Sequence, residues 1–192
     1  MNHLHRWYCR SELWKRTLET EILPWALQGV ELGEHVLEIG PGPGLTTDWL
    51  ETRCRHLTCL EIDPDLARSL KQRKASRGRQ VHCGDATVMP YPDGSFSAVV
   101  LFTVLHHVPS PEKQNRLFTE AYRVSKPGGV FAGVDSLPSM LMKLFHIGDT
   151  MVPVDPGALP ARLESAGFCN VTTEIGAGRF RFTARRPLHA LR

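Results

Sequence analysis

The stretch VLEIGPGPGLTT, Val36 to Thr47, constrains this chain more than any other. A short apolar run carries one acidic residue, Glu38, directly into Gly40-Pro41-Gly42-Pro43-Gly44, and a helical pattern with Trp49 and Leu50 follows Thr46 and Thr47. Such an order predicts a buried strand, a tight turn, and a helix whose free N–H groups face a ligand above the turn. Glycine suits the turn because it accepts positive φ and lets backbone approach a ligand with no Cβ between. The spacing narrows the ligand. A dinucleotide fingerprint starting at Gly40 would need its third glycine at Leu45, and one starting at Gly42 would need it at Thr47. The phosphate-cradling loop fails as well, since no Gly-Lys-Ser/Thr end exists and Pro41 and Pro43 have no N–H to offer a phosphate. A nucleoside-type ligand without phosphates fits better.

The rest of the chain alternates strand and helix patterns. Ser11 to Gln28 reads as an amphipathic helix capped by Ser11, with Pro24 as a kink, packing on a sheet or over its top edge. Ahead of it, His5, Trp7 and Tyr8 are expected to pack, or to help cover a ligand. His56 to Ile62 is a second strand ending in Glu61, 23 residues beyond Glu38. That is close to the distance at which a Rossmann-like second strand ends beside a ribose, whose two hydroxyls a carboxylate accepts. Asp63 caps the next helix and Pro64 opens it. The basic run Arg73 to Arg79 reads as a helix end and loop, and Gln80 to Cys83 as a third strand leading into Gly84-Asp85-Ala86. Phe96 to Leu105 is the most apolar strand, expected at the sheet centre, and it runs into His106-His107. A helix from Ser110 to Val124 and a fifth strand, Val130 to Val134, ending at Asp135, come next. Ser136 to Gly157 breaks the pattern with Met140, Met142, Leu144, Phe145 and Met151, where either a groove-filling loop or a substrate cover is expected. A last helix, Ala158 to Ala166, precedes an antiparallel hairpin, Asn170 to Ile175 and Arg179 to Ala184, whose alternating Arg and Phe suit a charge-guarded sheet edge.

Composition excludes several classes. At 192 residues the chain is expected to form one α/β domain, with residues 1–30 a helical N-terminal segment and 136–157 the substrate cover. Net charge is +3, and the basic residues are scattered until the C-terminal end, so nucleic acid is not indicated. Five cysteines without a C-x-x-C pair fit reduced thiols, not a metal site, and no zinc-binding histidine spacing occurs. The longest apolar run is too short to span a bilayer, and the first ten residues lack a signal-peptide core, so a cytoplasmic setting is expected.

With these elements placed, the pattern E-x-G-x-G-x-G from Glu38 resembles motif I of class I S-adenosylmethionine (SAM)-dependent methyltransferases. The string from Phe96 to Val108 is similar to the "sFDxV…LHHv" of the methyltransferase-11 type, which includes quinone-biosynthesis C-methyltransferases. Lys126-Pro127-Gly128-Gly129 matches that family's post-helix turn, with Ser125 replacing its Leu. Ser97 replaces the family's Asp, which we expect to weaken a structural contact at the strand end away from the ligand.

The resemblance spans about Val36 to Ala184. It implies a Rossmann-like, doubly wound, mostly parallel seven-stranded sheet closed by the antiparallel hairpin, with SAM as cofactor. It also implies a cofactor site at Glu38, Gly40, Pro41, Gly42, Gly44, Thr46, Glu61, Ile62, Asp85, Ala86, Phe102 and Thr103, with Asp85 toward the adenine amino group. The implied reaction is methyl transfer to a small apolar or aromatic acceptor, which needs alignment and water exclusion more than a fixed triad. Base candidates are His106, His107 and His146, then Asp149 and Asp135. Competing readings are a SAM-binding protein without catalysis, a methyltransferase of RNA or protein, and a nicotinamide-dependent oxidoreductase. The acceptor atom and the oligomeric state are not legible at this level.

Overall fold

A computed structural model describes residues 11–73, 78–140 and 148–189. Seven strands form one sheet: β1 (His35–Ile39), β2 (His56–Glu61), β3 (Gln80–Cys83), β4 (Phe96–Phe102), β5 (Ser125–Ser136), β6 (Cys169–Gly176) and β7 (Arg179–Arg185). Their spatial order is β3-β2-β1-β4-β5-β7-β6. The first five run parallel, and β7 is antiparallel to both its neighbours. The order reverses between β1 and β4, and crevices for ligands form at such switch points, beyond the carboxyl ends of the strands.

Helices cover both faces of the sheet. On one side lie α1 (Glu12–Thr17), a π-helical segment Leu18–Ile22, α2 (Leu23–Ala26), α3 (Leu45–Glu51) and α4 (Pro64–Gln72). Leu18, Ile22, Leu23, Leu50 and Leu70 pack there on Val36, Ala98, Val100 and Val134. On the other side α5 (Pro111–Val124) and α6 (Leu159–Ser165) set Leu117, Phe118 and Leu163 against Leu37, Val99, Leu101, Phe131, Phe180 and Phe182. Strand β4 feeds both cores, which is why its sequence is apolar at nearly every position.

The predicted caps form. Ser11 Oγ accepts from Trp14 N, Asp63 from Asp65 N and Leu66 N, and Ser110 from Lys113 N. The first helix differs from its prediction, since a π turn sits between its two α pieces and directly ahead of Pro24. Proline at position 24 has no N–H for the preceding turn, and a π turn is one way a helix accommodates such a break. Strand β4 is shorter than predicted, because the chain leaves the sheet at Thr103, in the left-handed region at φ 57°, and Leu105–His107 forms a 3₁₀ turn.

Ser97 makes a contact of its own at the strand start: its hydroxyl accepts from His35 N at 3.0 Å and lies 2.7 Å from the Leu32 carbonyl, tying the start of β4 to β1. One expectation is corrected. The Arg/Phe strand is not an edge. Strand β7 lies inside the sheet between β5 and β6, with Phe180 and Phe182 fully buried, and β6 is the edge. The aromatic side of the alternation fills the core under α5 and α6, so the period-2 pattern reflects a buried face as much as an exposed one.

Candidate functional site

At the carboxyl ends of β1, β2 and β4 the glycine turn, the Glu61 loop and the Thr103 bend surround a cavity of about 310 Å³. Its walls include Gly40, Pro41, Gly42, Glu61, Thr103 and His107. A second cavity of about 120 Å³ adjoins it, sharing Gly40, Ile62, Val104 and His107 and adding Asp85, Ala86 and Leu117. Together they fall within the roughly 300–1,000 Å³ of small-molecule sites, with few polar groups on largely apolar walls.

Each polar group has a local cause. Gly40, at φ +65°, lies so close to β4's exit that a Cβ there would meet Val104 Cγ2 at 2.7 Å. Only glycine lets β1 turn this near the cavity. Glu61 ends β2 with its carboxylate accepting from Gly42 N at 2.9 Å and Asp63 N at 3.0 Å, which links the glycine turn to the second strand. Burial pushes the Glu61 pKa up, and those two N–H donors oppose the rise. Thr103 holds a strained conformation that costs a β-branched residue on the order of 1–3 kcal/mol, and its N–H donates to Val134 O. Strain of this kind persists where the surroundings fix it, and here it aims β4's exit across the cavity.

Of the sequence-predicted cofactor residues, Gly40, Pro41, Gly42, Thr46, Glu61, Ile62, Phe102 and Thr103 line the larger cavity, and Asp85 and Ala86 line the smaller one. Glu38 and Gly44 line neither. Glu38 is 1% exposed and accepts hydrogen bonds from the hydroxyls of Thr46 and Thr47, so it anchors the first turn of α3 from beneath. Burial raises its pKa to about 7, Thr46, Thr47 and Cys59 oppose that, and the charge of Glu61 adds to it. Gly44 is the left-handed cap of α3, packed against Arg73 and Leu70.

The base candidates separate. His106 is buried, with Nδ1 2.5 Å from Asp135 Oδ1 and its backbone N–H on Asp135 Oδ2, and it lines neither cavity. His107 lines both. Asp149 joins it on the larger cavity's wall, while His146, like His5, Trp7 and Tyr8, lies outside the described residues. Sequence reasoning did not assign Trp14 and Leu18 to the cavity wall, although both lie there. Their helical spacing registered only as amphipathicity. Among the described residues no cluster suited to a metal ion occurs, and no helix is long and apolar enough to cross a membrane.

A family model described as a methyltransferase domain matches residues 37–133, about half of the chain. The chain is 34% identical over 110 residues to the chloroplastic 2-methyl-6-phytyl-1,4-hydroquinone methyltransferase 1 of Oryza sativa subsp. japonica, covering 55% of this chain and 32% of that protein. It is 30% identical over 154 residues to a ubiquinone/menaquinone biosynthesis C-methyltransferase of Methylobacterium nodulans, covering 64% and 60%. The chain thus spans between about a third and three fifths of these curated relatives. A solved SAM-dependent methyltransferase from Archaeoglobus fulgidus shares the fold, with a TM-score of 0.74 at 18% identity over 96% of this chain and all of that one.

Proposed function

Because the chain belongs to the methyltransferase domain family, we propose that it is a SAM-dependent methyltransferase acting on a small apolar or aromatic acceptor by in-line transfer. The observation that carries this reading is the Glu61 carboxylate on the cavity wall, hydrogen-bonded to the glycine turn, and among the described residues lining that cavity there is no lysine or arginine. The residues fit the cofactor. Glu61 is a double acceptor for adenosine hydroxyls, and the smaller cavity offers apolar walls for a base, with Asp85 at its rim. Gly40, Gly42, Phe102 and Thr103 line the larger cavity with Glu61.

When bound, the cofactor supplies a methyl group on a sulfonium that leaves as a neutral thioether. The chain's own work is alignment and exclusion of water. Trp14 and Leu18 from the N-terminal helical stretch, with Asp149 and Thr150 from the end of the predicted cover, also line the larger cavity. This placement supports residues 136–157 as part of an acceptor enclosure. An apolar or aromatic acceptor suits those walls, and the relatives named for phytyl-hydroquinone and quinone methylation are consistent with one.

Calorimetric titration with SAM tests the reading. We expect binding by the unaltered chain and a loss of about 10–100-fold in E61A, the equivalent of about 1.5–3 kcal/mol for hydrogen bonds to a charged group. A panel of phenols, hydroquinones, amines and thiols then tests transfer. Binding without turnover on any of them would count for a non-catalytic SAM-binding protein instead.

A further inference from the structure

The walls of the larger cavity contain an imidazole and a carboxyl that the cofactor reading leaves unused, His107 and Asp149. We infer that His107 is the general base of the acceptor half-site, that Asp149 is its positioning residue, and that the acceptor is a protic aromatic, a phenol or hydroquinol. The inference rests on the methyltransferase reading and deepens it.

The architecture around His107 is what a positioned base requires. Its turn is clamped from three sides. Asp135 at the end of β5 accepts from His106 N, Gln114 Nε2 of α5 donates to Leu105 O at 3.1 Å, and Val152 N donates to His106 O at 2.7 Å. The last bond also docks the segment bearing Asp149 and Thr150 onto the histidine turn, and Gln114 Nε2 reinforces it through Val152 O at 2.9 Å. His106, gripped by Asp135, sets its ring 4.2 Å from that of His107, which restricts how the second ring can turn. Burial opposes ionisation of Asp149, yet the charge of His107, the largest of several lowering influences, holds its carboxyl below the usual aspartate range, and the Thr150 N–H donates to it. An ionised carboxylate beside an imidazole favours proton uptake by the ring. Among the described residues, the other titratable groups on the two cavities are Glu61, Asp63, Asp85 and Lys113. Trp14 and Leu18 complete the same enclosure with flat and branched apolar surface suited to an aromatic ring.

The step balances without an outside reagent. The acceptor O–H proton passes to the His107 ring, and the oxygen's electron pair forms the new O–CH₃ bond. The old S–CH₃ bond breaks with its pair left on sulfur, and His107 returns the proton to solvent. A phenol that is already ionised at working pH needs no such base.

That difference supplies the test. Wild type, H107Q and D149N are titrated with SAM by calorimetry, then assayed on unsubstituted phenol and on 4-nitrophenol across pH. Both variants are expected to retain SAM binding, and turnover is compared at saturating cofactor. H107Q should lose kcat/KM by about 100-fold or more on phenol, the scale of general-base catalysis, and far less on 4-nitrophenol. D149N should move the rising limb of the phenol pH profile downward, as removal of a facing negative charge lowers the imidazole pKa. An independent readout is the absorbance of 4-nitrophenol bound with S-adenosylhomocysteine: the wild type should bind it as phenolate with uptake of the proton by the protein, and H107Q should release that proton to buffer. Equal losses on both phenols, an unmoved profile in D149N, or no turnover of any phenol would overturn the inference while leaving SAM binding intact. Absent SAM binding by the wild type would overturn the cofactor reading and this inference with it.

Discussion

Two buried carboxyls, Glu38 and Glu61, flank the glycine turn, and their environments set a pH dependence for the unliganded chain. Glu38 has a folded-state pKa of about 7 against an ordinary 4.5. Between these values the folded state holds a proton that the unfolded state has lost. Stability is therefore fully present below about pH 4.5, declines as pH rises toward 7, and levels off above it. The size is on the order of 3 kcal/mol, from about 1.4 kcal/mol per unit. The raised pKa of Glu61 acts in the same direction. Denaturant midpoints of the apo chain should fall between pH 5 and 7.5, and E38Q, which resembles the protonated acid, should flatten most of that slope. A slope unchanged in E38Q would place the titration elsewhere. Glu61 was readable from sequence because its distance along the chain from the turn marks the end of a second strand. Glu38 was readable as important but not as an anchor, since its partners depend on how α3 enters. Likewise the histidine pair was visible, yet which ring faces the cavity depends on Asp135, brought in by the fifth strand.

At the scale of elements, the closest approach decides how the site is built. Gly40 sets β1's exit against Val104, and Gly133 lets β5 pass β4 where a Cβ would meet Leu101 O at 2.4 Å. Both substitutions to alanine meet a clash, but with different readouts. G133A forces backbone apart in the middle of the sheet and should cost about 1–3 kcal/mol of stability, the range for overpacked cores, visible as a lower denaturant midpoint. G40A adds positive-φ strain at the cavity floor and should weaken SAM binding by about tenfold or more, roughly 1.4 kcal/mol, with V104A restoring part of it. No recovery in the double variant would mean that strain and not the Val104 contact dominates. Strand positions were legible because each has its own apolar run and flanking turn residues, and β3 matches its prediction end to end. What period and composition could not supply was context. Strand β7's rank within the sheet follows from pairing with β5, and the place of Trp14 and Leu18 on the cavity wall follows from how the first helical stretch packs over one core. Short-range pattern carries neither.

For the whole molecule, the cavity joins parts of the chain that no single core unites. Trp14 and Leu18 come from the N-terminal helical stretch over one core, and Leu117 comes from α5 over the other. The glycine turn and the ends of β2 and β4 lie between them. A ligand that touches all of these should stabilise the fold as a unit and not only the loops around it. At a free concentration 100 times its dissociation constant, SAM would add about 2.7 kcal/mol to unfolding. For a chain of this size each kcal/mol corresponds to about 2–4 °C, so the melting temperature should rise by roughly 5–11 °C. E61A, binding about 10–100-fold more weakly, should lose about half to five sixths of the rise at the same SAM concentration, because the stabilisation follows the logarithm of concentration over dissociation constant. H107Q should keep more of it than E61A, because His107 lines the cavities but is assigned no hydrogen bond to the cofactor. Equal losses in both variants would move His107 into the cofactor's own site. Equal rises would remove Glu61 from that site and, with it, the observation on which the methyltransferase reading of this cavity rests.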